Sequence, residues 1–379
     1  MSTLETNAIG KYSGNNVSVD DALNLKSYTT AERDALTSVA GDMIYNTTLG
    51  NPQVYTGSTW NDLKAGVEGV SIEYLVIAGG GGSAGGTGAL QAGGGGGAGG
   101  YRTNKTGQTS GGGASAEPTL IVPKSSNITV TVGAGGAAGA TATGSSDDAT
   151  NGQTGNNSVF SFITSLGGGG GAEYYSRQNL SRNPAGASMS NSAGLVGSGG
   201  GGSWAGSAVG FGPGVGRTGQ GYNGGVGYSS GTLASAGGGG AGAVGSNASN
   251  GNGGNGGNGV SSDITGSATT RAGGGGGASS TAGSGGSGGG GAGASAANSL
   301  GTAGTANTGG GAGASRSGSG GTPGDRIGGA TGGSGIVILR YATADATISV
   351  GAGLTSSSAT DGSDTVVTFT AGTGTVSFS

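Results

Sequence analysis

Cysteine and histidine are both absent from this chain of 379 residues. The first absence excludes disulfide bonds and thiolate chemistry, and the second excludes imidazole as a general base or a metal ligand. Only 8% of the residues are charged, and the formal net charge of −4 gives no electrostatic reason to expect a nucleic-acid partner. The sequence therefore predicts a protein with no catalytic activity, no cofactor and no metal site.

Aromatic residues and proline are also scarce, whereas glycine supplies 101 residues. Such a composition is typical of disordered or low-complexity chains. The low net charge provides no repulsion to drive expansion, however, so we expect an ordered chain. The start of the sequence lacks the basic and apolar regions of an export signal, and the longest apolar run, residues 74–78, is too short to span a bilayer. We expect no membrane insertion and no encoded export route.

The composition changes sharply near residue 79. Before that point, Thr29 and Glu32 have the spacing of a capping box, which predicts a short helix with an apolar stripe at Ala35, Leu36 and Val39. Residues 42–45 and 53–55 have the composition of strands, and Trp60 is expected to close the core of this unit. These features predict a small α+β module at the N-terminus.

Three segments of this module, TTAERDAL, GDMIYNTT and VYTGSTWNDL, resemble a module found in bacteriophage tail-fibre proteins. The segments IEYLVIAGGGG and GGSGIVILRYA resemble the opening and closing strands of the glycine-rich domain of marine phage and cyanophage tail proteins. Residues 172–327 resemble that family only in composition and run spacing. The resemblance implies a tail fibre or adhesin that is made in the host cytoplasm and localises to the virion tail. It also implies a homotrimer and an N-terminal module that binds other tail or baseplate proteins.

The glycine runs, such as residues 93–100 and 273–277, contain too few side chains to build a hydrophobic core. In GNGGNGGNG, residues 251–259, asparagine recurs with a period of three, which matches neither an α-helix nor a strand. It matches an extended left-handed helix of about 3 residues per turn, whose buried backbone groups must bond to neighbouring segments. We therefore expect a bundle of polyglycine II helices, with Asn252, Asn255 and Asn258 facing solvent or a polar neighbour. Collagen, which also has a period of three, is disfavoured because the chain has only six prolines.

β-Branched and aromatic residues predict strands at residues 72–78, 119–122, 128–132, 159–163 and 336–341, which would cap or flank the bundle. The predicted fold class is thus mainly irregular and β. It comprises an α+β module (residues 1–70), a glycine-rich polyglycine II domain (residues 71–342) and a β-rich C-terminal tail (residues 343–379). The tail has the composition of pairing strands, within the chain or between chains.

Motifs of catalysis and metal binding are weak. Residues 227–231 match the G-x-S-x-G pattern of a nucleophile elbow, but the chain has no histidine to act as base. Residues 147–152 partly match a calcium loop, yet Ala149 occupies a ligand position and Ser158 stands where the bidentate glutamate belongs. A polar turn is the favoured interpretation.

Large side chains concentrate in inserts between the glycine runs, where a rigid scaffold would display them. Tyrosine, tryptophan and arginine dominate binding hot spots. We therefore predict a receptor-binding site for a host surface glycan or protein at Tyr174, Tyr175, Arg177, Trp204, Tyr222 and Tyr228. The alternative is that these rings plug the ends of the bundle or pack between protomers.

Two other functions are considered beside the adhesin. An ice-binding protein could use flat repetitive faces, but it would require short regular inserts, whereas these inserts are long and irregular. A purely structural glycine-rich fibre or spacer would require no receptor site at all.

Overall fold

The computed structural model of the chain divides into two compact units, Met1–Glu68 and Gly69–Ser379. It describes residues 25–63, 69–86, 92–141, 151–173, 196–203, 213–230, 232–319 and 325–379. Among these residues no helix has the length and apolar character needed to cross a bilayer.

The first unit contains a four-stranded sheet in the order β1-β2-β3-β4, in which β1 is parallel to β2 and the other neighbours are antiparallel. Its strands are β1 (Ser27–Tyr28), β2 (Met43–Asn46), β3 (Asn51–Tyr55) and β4 (Trp60–Asp62). The core prediction for Trp60 is only partly met: its side chain is half-buried, and its ring lies 5.3 Å from that of Tyr55.

Helix α1 (Thr30–Asp34) precedes β2, and the predicted capping box at its start is confirmed. The Thr29 side chain accepts a hydrogen bond from Glu32 N, and the Glu32 carboxylate accepts one from Thr29 N at 2.8 Å. The bond from Thr29 N, together with a second bond that Thr29 Oγ1 donates to the same carboxylate, lowers the pKa of Glu32. The predicted apolar stripe is wrong, because the helix ends before Ala35 and buries none of its residues. With five helical residues among four strands, the described part of this unit is β rather than α+β.

The second unit is built on a ten-stranded sheet whose main order is β10-β9-β8-β16-β13-β5-β6. Strands β14 and β15 also pair with β16, and β7 pairs with β5. A separate hairpin is formed by β11 and β12. The bounds are β5 (Gly69–Ile77), β6 (Tyr101–Thr103), β7 (Leu120–Pro123), β8 (Ile128–Thr131), β9 (Ser158–Phe160), β10 (Ile163–Ser165), β11 (Val260–Ser262), β12 (Thr269–Arg271), β13 (Ile336–Ala342), β14 (Ile348–Val350), β15 (Leu354–Asp361) and β16 (Asp364–Phe378).

The central strands β5 and β13 are buried on both faces. Side chains alternate along a strand, so Tyr74 and Val76 pack with Phe160, Phe369 and other residues of the outer strands. The intervening Leu75 and Ile77 pack instead against residues of the glycine-rich part, Ala98, Tyr101, Ala241, Ile264 and Ala272. The sheet therefore lies between an apolar core and a glycine-rich layer, so its strands flank the glycine segments.

Four predicted strands are found close to their predicted positions, as β5, β7, β8 and β13. The fifth, residues 159–163, is instead a tight hairpin of β9 and β10. Ser161 has a positive φ of 56° at the turn, and Phe162 projects from it with 75% of its surface exposed.

The glycine runs are assigned to neither helix nor strand, so the secondary structure supports "mainly β" and not a bundle of helices. Their backbone groups are nevertheless bonded between segments in a repeating pattern. Gly94, Gly97 and Gly100 donate to Ala172 O, Gly169 O and Leu166 O, each at 2.8 Å. Each bond in this series is thus displaced from the one before it by three residues on both segments.

The other donors of residues 93–100 go to two further segments. Gly95 and Ala98 donate into residues 236–239, and Gly96 and Gly99 donate into residues 309–312. Carbonyl groups of the same run accept from residues 78–81, 198–201 and 275. Six segments therefore surround this fully buried run and satisfy its backbone.

The asparagine edge of residues 251–259 is exposed as predicted, whereas Gly254 and Gly257 are buried. Asn255 Oδ1 accepts from Ser284 N at 2.9 Å, and Asn258 Oδ1 accepts from Ser287 N at 3.1 Å. The amide side chains thus bond to backbone N–H groups of the neighbouring segment, residues 284–287.

Residues 343–379, predicted as a C-terminal tail, lie in the second unit and supply β14, β15 and β16. Strand β16 runs for 15 residues and pairs with β8, β13, β14 and β15 of the same chain.

Candidate functional site

Tyr228 is the predicted receptor residue at which several glycine segments end together. Its backbone N donates to Ala234 O at 3.0 Å, which closes a narrow turn, and its side chain is half-buried. One residue earlier, Gly227 lies directly against the carbonyl of Ser203. On the neighbouring side, Asn247 Oδ1 accepts from Val226 N at 2.8 Å. Residues 226–228 are therefore held by a backbone contact on one side and by a side-chain hydrogen bond on the other.

Two other segments end at the same place. Ser203 Oγ donates to Glu173 O at 2.7 Å, and Asn151 Oδ1 accepts from Glu173 N at 2.7 Å. The four residues Asn151, Glu173, Ser203 and Tyr228 are thereby linked by hydrogen bonds and by the Gly227 contact. We call this group the loop end of the glycine-rich unit.

Four of the six predicted receptor residues, Tyr174, Tyr175, Arg177 and Trp204, lie outside the described residues. The residues that directly precede them in the sequence, Glu173 and Ser203, are members of the loop end. The two long inserts therefore begin from points that are in contact with each other.

Tyr222 is not brought together with Tyr228. Its carbonyl accepts from Gly199 N at 2.9 Å, and the next bond in register joins Gly202 N to Gly225 O. Tyr228 lies three residues beyond Gly225, so the two tyrosines are separated by two three-residue steps of this register. The Tyr222 hydroxyl lies over Gly113, in a short 3-10 turn near the sheet, 2.8 Å from the position that a Cβ of that residue would occupy. This packing matches the plug interpretation rather than a shared site with Tyr228.

Small side chains lie among the glycine segments. Ala92, Ala278, Ala294 and Ala314 form a buried cluster of their own. Arg316 forms single backbone bridges with Ala92 and Ser299, and its guanidinium donates to Ser295 O. Neither feature is predictable from the sequence, since isolated alanines among glycines have no periodic pattern that distinguishes core from surface.

The main charged clusters of the second unit involve the sheet strands. Arg102 bonds Glu117 through two nitrogens at 2.6 and 2.7 Å, and Tyr74 donates to the same carboxylate at 2.6 Å. Burial, with the Glu117 bond, raises the pKa of Tyr74 above its ordinary value.

The second cluster is centred on Arg340, which bonds Asp361 at 2.6 Å and Asp364 at 2.8 Å. Next to it, Lys105 contacts Glu73 at 3.0 Å. Each cation in these clusters is paired with at least one carboxylate. Across the described residues, no group of three or more acidic, cysteine or histidine side chains is arranged to hold a metal ion.

A family described as "Glycine-rich domain" matches residues 55–342, from the last residue of β3 to the last residue of β13. Comparison with curated proteins gave no match.

Proposed function

We propose that this chain, which belongs to the glycine-rich domain family, is a phage tail fibre or adhesin that binds a host surface receptor without catalysis. In this proposal the glycine-rich unit is a rigid platform in the virion tail, and its inserts contact a glycan or a protein on the host. The resemblance of the N-terminal segments and of the two bracketing strands to tail proteins supports the virion assignment. The N-terminal unit would bind other tail or baseplate proteins, and the chain would act as a homotrimer.

The observation that carries the proposal is the backbone lattice beneath the loop end. Residues 93–100 are bonded to six surrounding segments, so each segment is held by its neighbours rather than by side-chain packing. Binding residues are commonly presented by loops on such rigid scaffolds. The inserts that carry Tyr174, Tyr175, Arg177 and Trp204 start at this lattice.

We further infer that the glycine segments have the polyglycine II conformation. The three-residue register and the distribution of successive donors over three different neighbours are what a helix of about 3 residues per turn requires. No glycine between residues 93 and 100 lies in the left-handed region of φ. NMR-derived dihedrals in this run are expected near φ ≈ −75° and ψ ≈ +145°, and values in the α or left-handed region would contradict the inference.

Aromatic faces stack on the apolar faces of sugars, and arginine offers forked donors to carboxylates. Each such contact is weak, but several copies on one virion would raise the avidity by on the order of 10²–10⁴. Receptor binding is therefore assigned to Tyr228 of the loop end and to Tyr174, Tyr175, Arg177 and Trp204, which follow Glu173 and Ser203 in the sequence, while Tyr222 is assigned to packing.

The test is the triple variant Tyr174→Ala, Tyr175→Ala and Trp204→Ala, built into the virion. We expect loss of adsorption to host cells, with normal expression, thermal unfolding and incorporation of the protein. Tyr222→Ala is the matched control, because the same side chain is truncated on a segment of the lattice away from the loop end, and it should adsorb normally. Normal adsorption of the triple variant would favour the structural spacer, and misfolding would favour the plug interpretation.

A further inference from the structure

Six asparagine–glycine pairs occur in this sequence, and all six lie in the glycine-rich unit. They begin at Asn151, Asn223, Asn250, Asn252, Asn255 and Asn258. In an unfolded chain this pair is chemically labile, because glycine has no side chain to hinder the attack of its backbone nitrogen on the asparagine side chain. The glycine-rich unit therefore concentrates the labile pairs of the chain.

The reaction requires both groups to be free. The glycine N–H gives its proton to solvent base, its nitrogen bonds to the asparagine Cγ, and the side-chain amide takes a proton and leaves as ammonia. Water then opens the resulting succinimide at one of its two carbonyl carbons, which gives either aspartate or isoaspartate. Each conversion adds one negative charge, and isoaspartate also adds one carbon to the backbone.

The nucleophile of every pair is held in the lattice. Each of the six glycine N–H groups donates to a backbone carbonyl of another segment, at distances from 2.8 to 3.1 Å. In chain order, the acceptors are the carbonyls of Gly171, Gly214, Thr232, Thr281, Ser284 and Ser287. Solvent base can reach such an N–H group only when the segment opens locally.

In three pairs the asparagine side chain is held by the same residue as the glycine N–H. Asn255 Oδ1 accepts from Ser284 N at 2.9 Å, and Gly256 N donates to Ser284 O at 2.8 Å. We call this arrangement the amide clamp. It also joins residues 258–259 to Ser287 and residues 250–251 to Thr232.

Two further side chains accept from a backbone N–H of another segment. Asn223 Oδ1 accepts from Gly216 N at 2.9 Å, and Asn151 Oδ1 accepts from Glu173 N at 2.7 Å. In these pairs, as in the amide clamps, Cγ and the glycine nitrogen can meet only after two bonds to other segments have broken.

Asn252 is held differently. Its Nδ2 donates to Asn250 O at 3.0 Å, and in the described part of the chain its Oδ1 accepts no backbone N–H. This bond lies within one turn, in which Ser249 and Asn252 also bond each other through their backbones. Its side chain is exposed and is not tied to another segment of the lattice. The Gly253 bond to Thr281 is therefore the single lattice bond that opposes ring closure at this pair.

We propose that the glycine lattice protects its asparagine–glycine pairs from succinimide formation, and that Asn252 is the pair at which modification begins. This inference goes beyond the proposed function and does not depend on it. The position of Asn252 limits the damage to the register. Isoaspartate at Asn255 would place an extra backbone carbon between the lattice bonds of Gly253 and Gly256. At Asn252 the extra carbon would lie before the first of these bonds, next to the turn.

The test follows the six sites by peptide mass spectrometry after incubation of the full chain at mildly alkaline pH. One sample is folded, and the other is unfolded in guanidinium chloride, as checked by circular dichroism. Asn252, Asn255 and Asn258 each lie between two glycines, so the unfolded chain should convert all three at equal rates. This identical local sequence makes each of the three sites a control for the others.

In the folded chain, Asn255 and Asn258 should convert at least about tenfold more slowly than in the unfolded chain, because two hydrogen bonds must break first. They should also convert more slowly than Asn252 of the same molecule. Equal rates for Asn255 in the folded and unfolded chains would overturn the protection. A rate at Asn252 no higher than that at Asn255 would overturn the choice of site.

Two variants test the site without denaturant. Glutamine forms the corresponding six-membered ring far more slowly, so Asn252→Gln and Asn255→Gln each silence one pair at an exposed position. Asn252→Gln should remove most of the isoaspartate that forms within residues 251–259 of the folded chain, and Asn255→Gln should remove little. The opposite result would overturn the proposal. Neither measurement uses host cells, so its outcome is independent of receptor binding.

Discussion

At the scale of single residues, asparagine side-chain oxygens accept hydrogen bonds from backbone N–H groups. In the interior of the glycine-rich unit, such N–H groups bond instead to carbonyl groups of another glycine segment. Asn255 and Asn258 accept backbone N–H groups through their side-chain oxygens, and so do Asn157, Asn223, Asn247 and Asn250 elsewhere in the glycine-rich unit. The period of three in the sequence predicts the exposure of Asn252, Asn255 and Asn258. It does not predict these bonds, since their partners lie on other segments.

Tyr101 gives a prediction at this scale. Its side chain is 0% exposed, and its hydroxyl has no partner at hydrogen-bonding geometry among the described residues. Burial raises its pKa from 10.0 to about 12, and the nearby Ser262 hydroxyl only partly opposes that rise. The unfolded chain loses this proton more readily than the folded chain. The free energy of unfolding is therefore unaffected by this group below about pH 10 and falls by about 2 kcal/mol as the pH rises towards 12.

We therefore expect Tyr101→Phe to be as stable as the wild-type chain at pH 7, because an unpaired buried hydroxyl is removed. It should lose less stability between pH 10 and 12. Urea unfolding at a series of pH values measures both effects. An unchanged pH dependence would show that the pKa of Tyr101 is not raised in the folded chain. A loss of more than about 1 kcal/mol at pH 7 would show that the hydroxyl has a native partner.

At the scale of elements, the strands were predictable and the hairpin of β9 and β10 was not. Branched side chains mark β5, β7, β8 and β13 because those strands are long enough to have a clear composition. Residues 159–163 have the same composition, but the chain reverses at Ser161, a non-glycine residue with positive φ. No residue type in this segment predicts that turn.

The glycine segments give the second prediction. A Cβ at Gly254 would overlap the carbonyl oxygen of Ser246 and lie 2.8 Å from Gly237 N, both backbone atoms of neighbouring segments that cannot rotate away. Gly254→Val is expected to cost more than about 3 kcal/mol, above the usual range for overpacking, and to expand the unit. Thermal unfolding and the radius of gyration from X-ray scattering would measure these effects.

The neighbouring position provides the control for that variant. Asn255 is exposed, and it contributes to stability through the hydrogen bonds that its side-chain oxygen accepts from Ser284. Asn255→Ser should therefore cost only about 0.5–1.5 kcal/mol and leave the dimensions unchanged. Equal effects of the two substitutions would contradict a lattice that excludes side chains from its interior.

At the scale of the whole molecule, sequence composition predicted the location of the glycine-rich part but not its connection to the sheet. Strand β16 pairs with β8, more than 200 residues earlier, and β13 pairs with β5 at a similar separation. Such register is fixed by the packed core and has no local signature. For the same reason, the sequence grouped Tyr222 with Tyr228, although the backbone register separates them.

The division into two units gives the last prediction. The first unit ends at Glu68, and Gly69 begins β5, whose bonds are made to β6, β7 and β13 of the second unit. A chain that starts at Gly69 should therefore keep a single cooperative unfolding transition, because every strand and glycine segment of the main sheet is retained. In the proposed virion role it should also fail to enter particles, since the attachment unit is missing. Immunoblots of purified virions measure incorporation, with the full chain as reference, and efficient incorporation of the shortened chain would place the attachment surface in the glycine-rich unit.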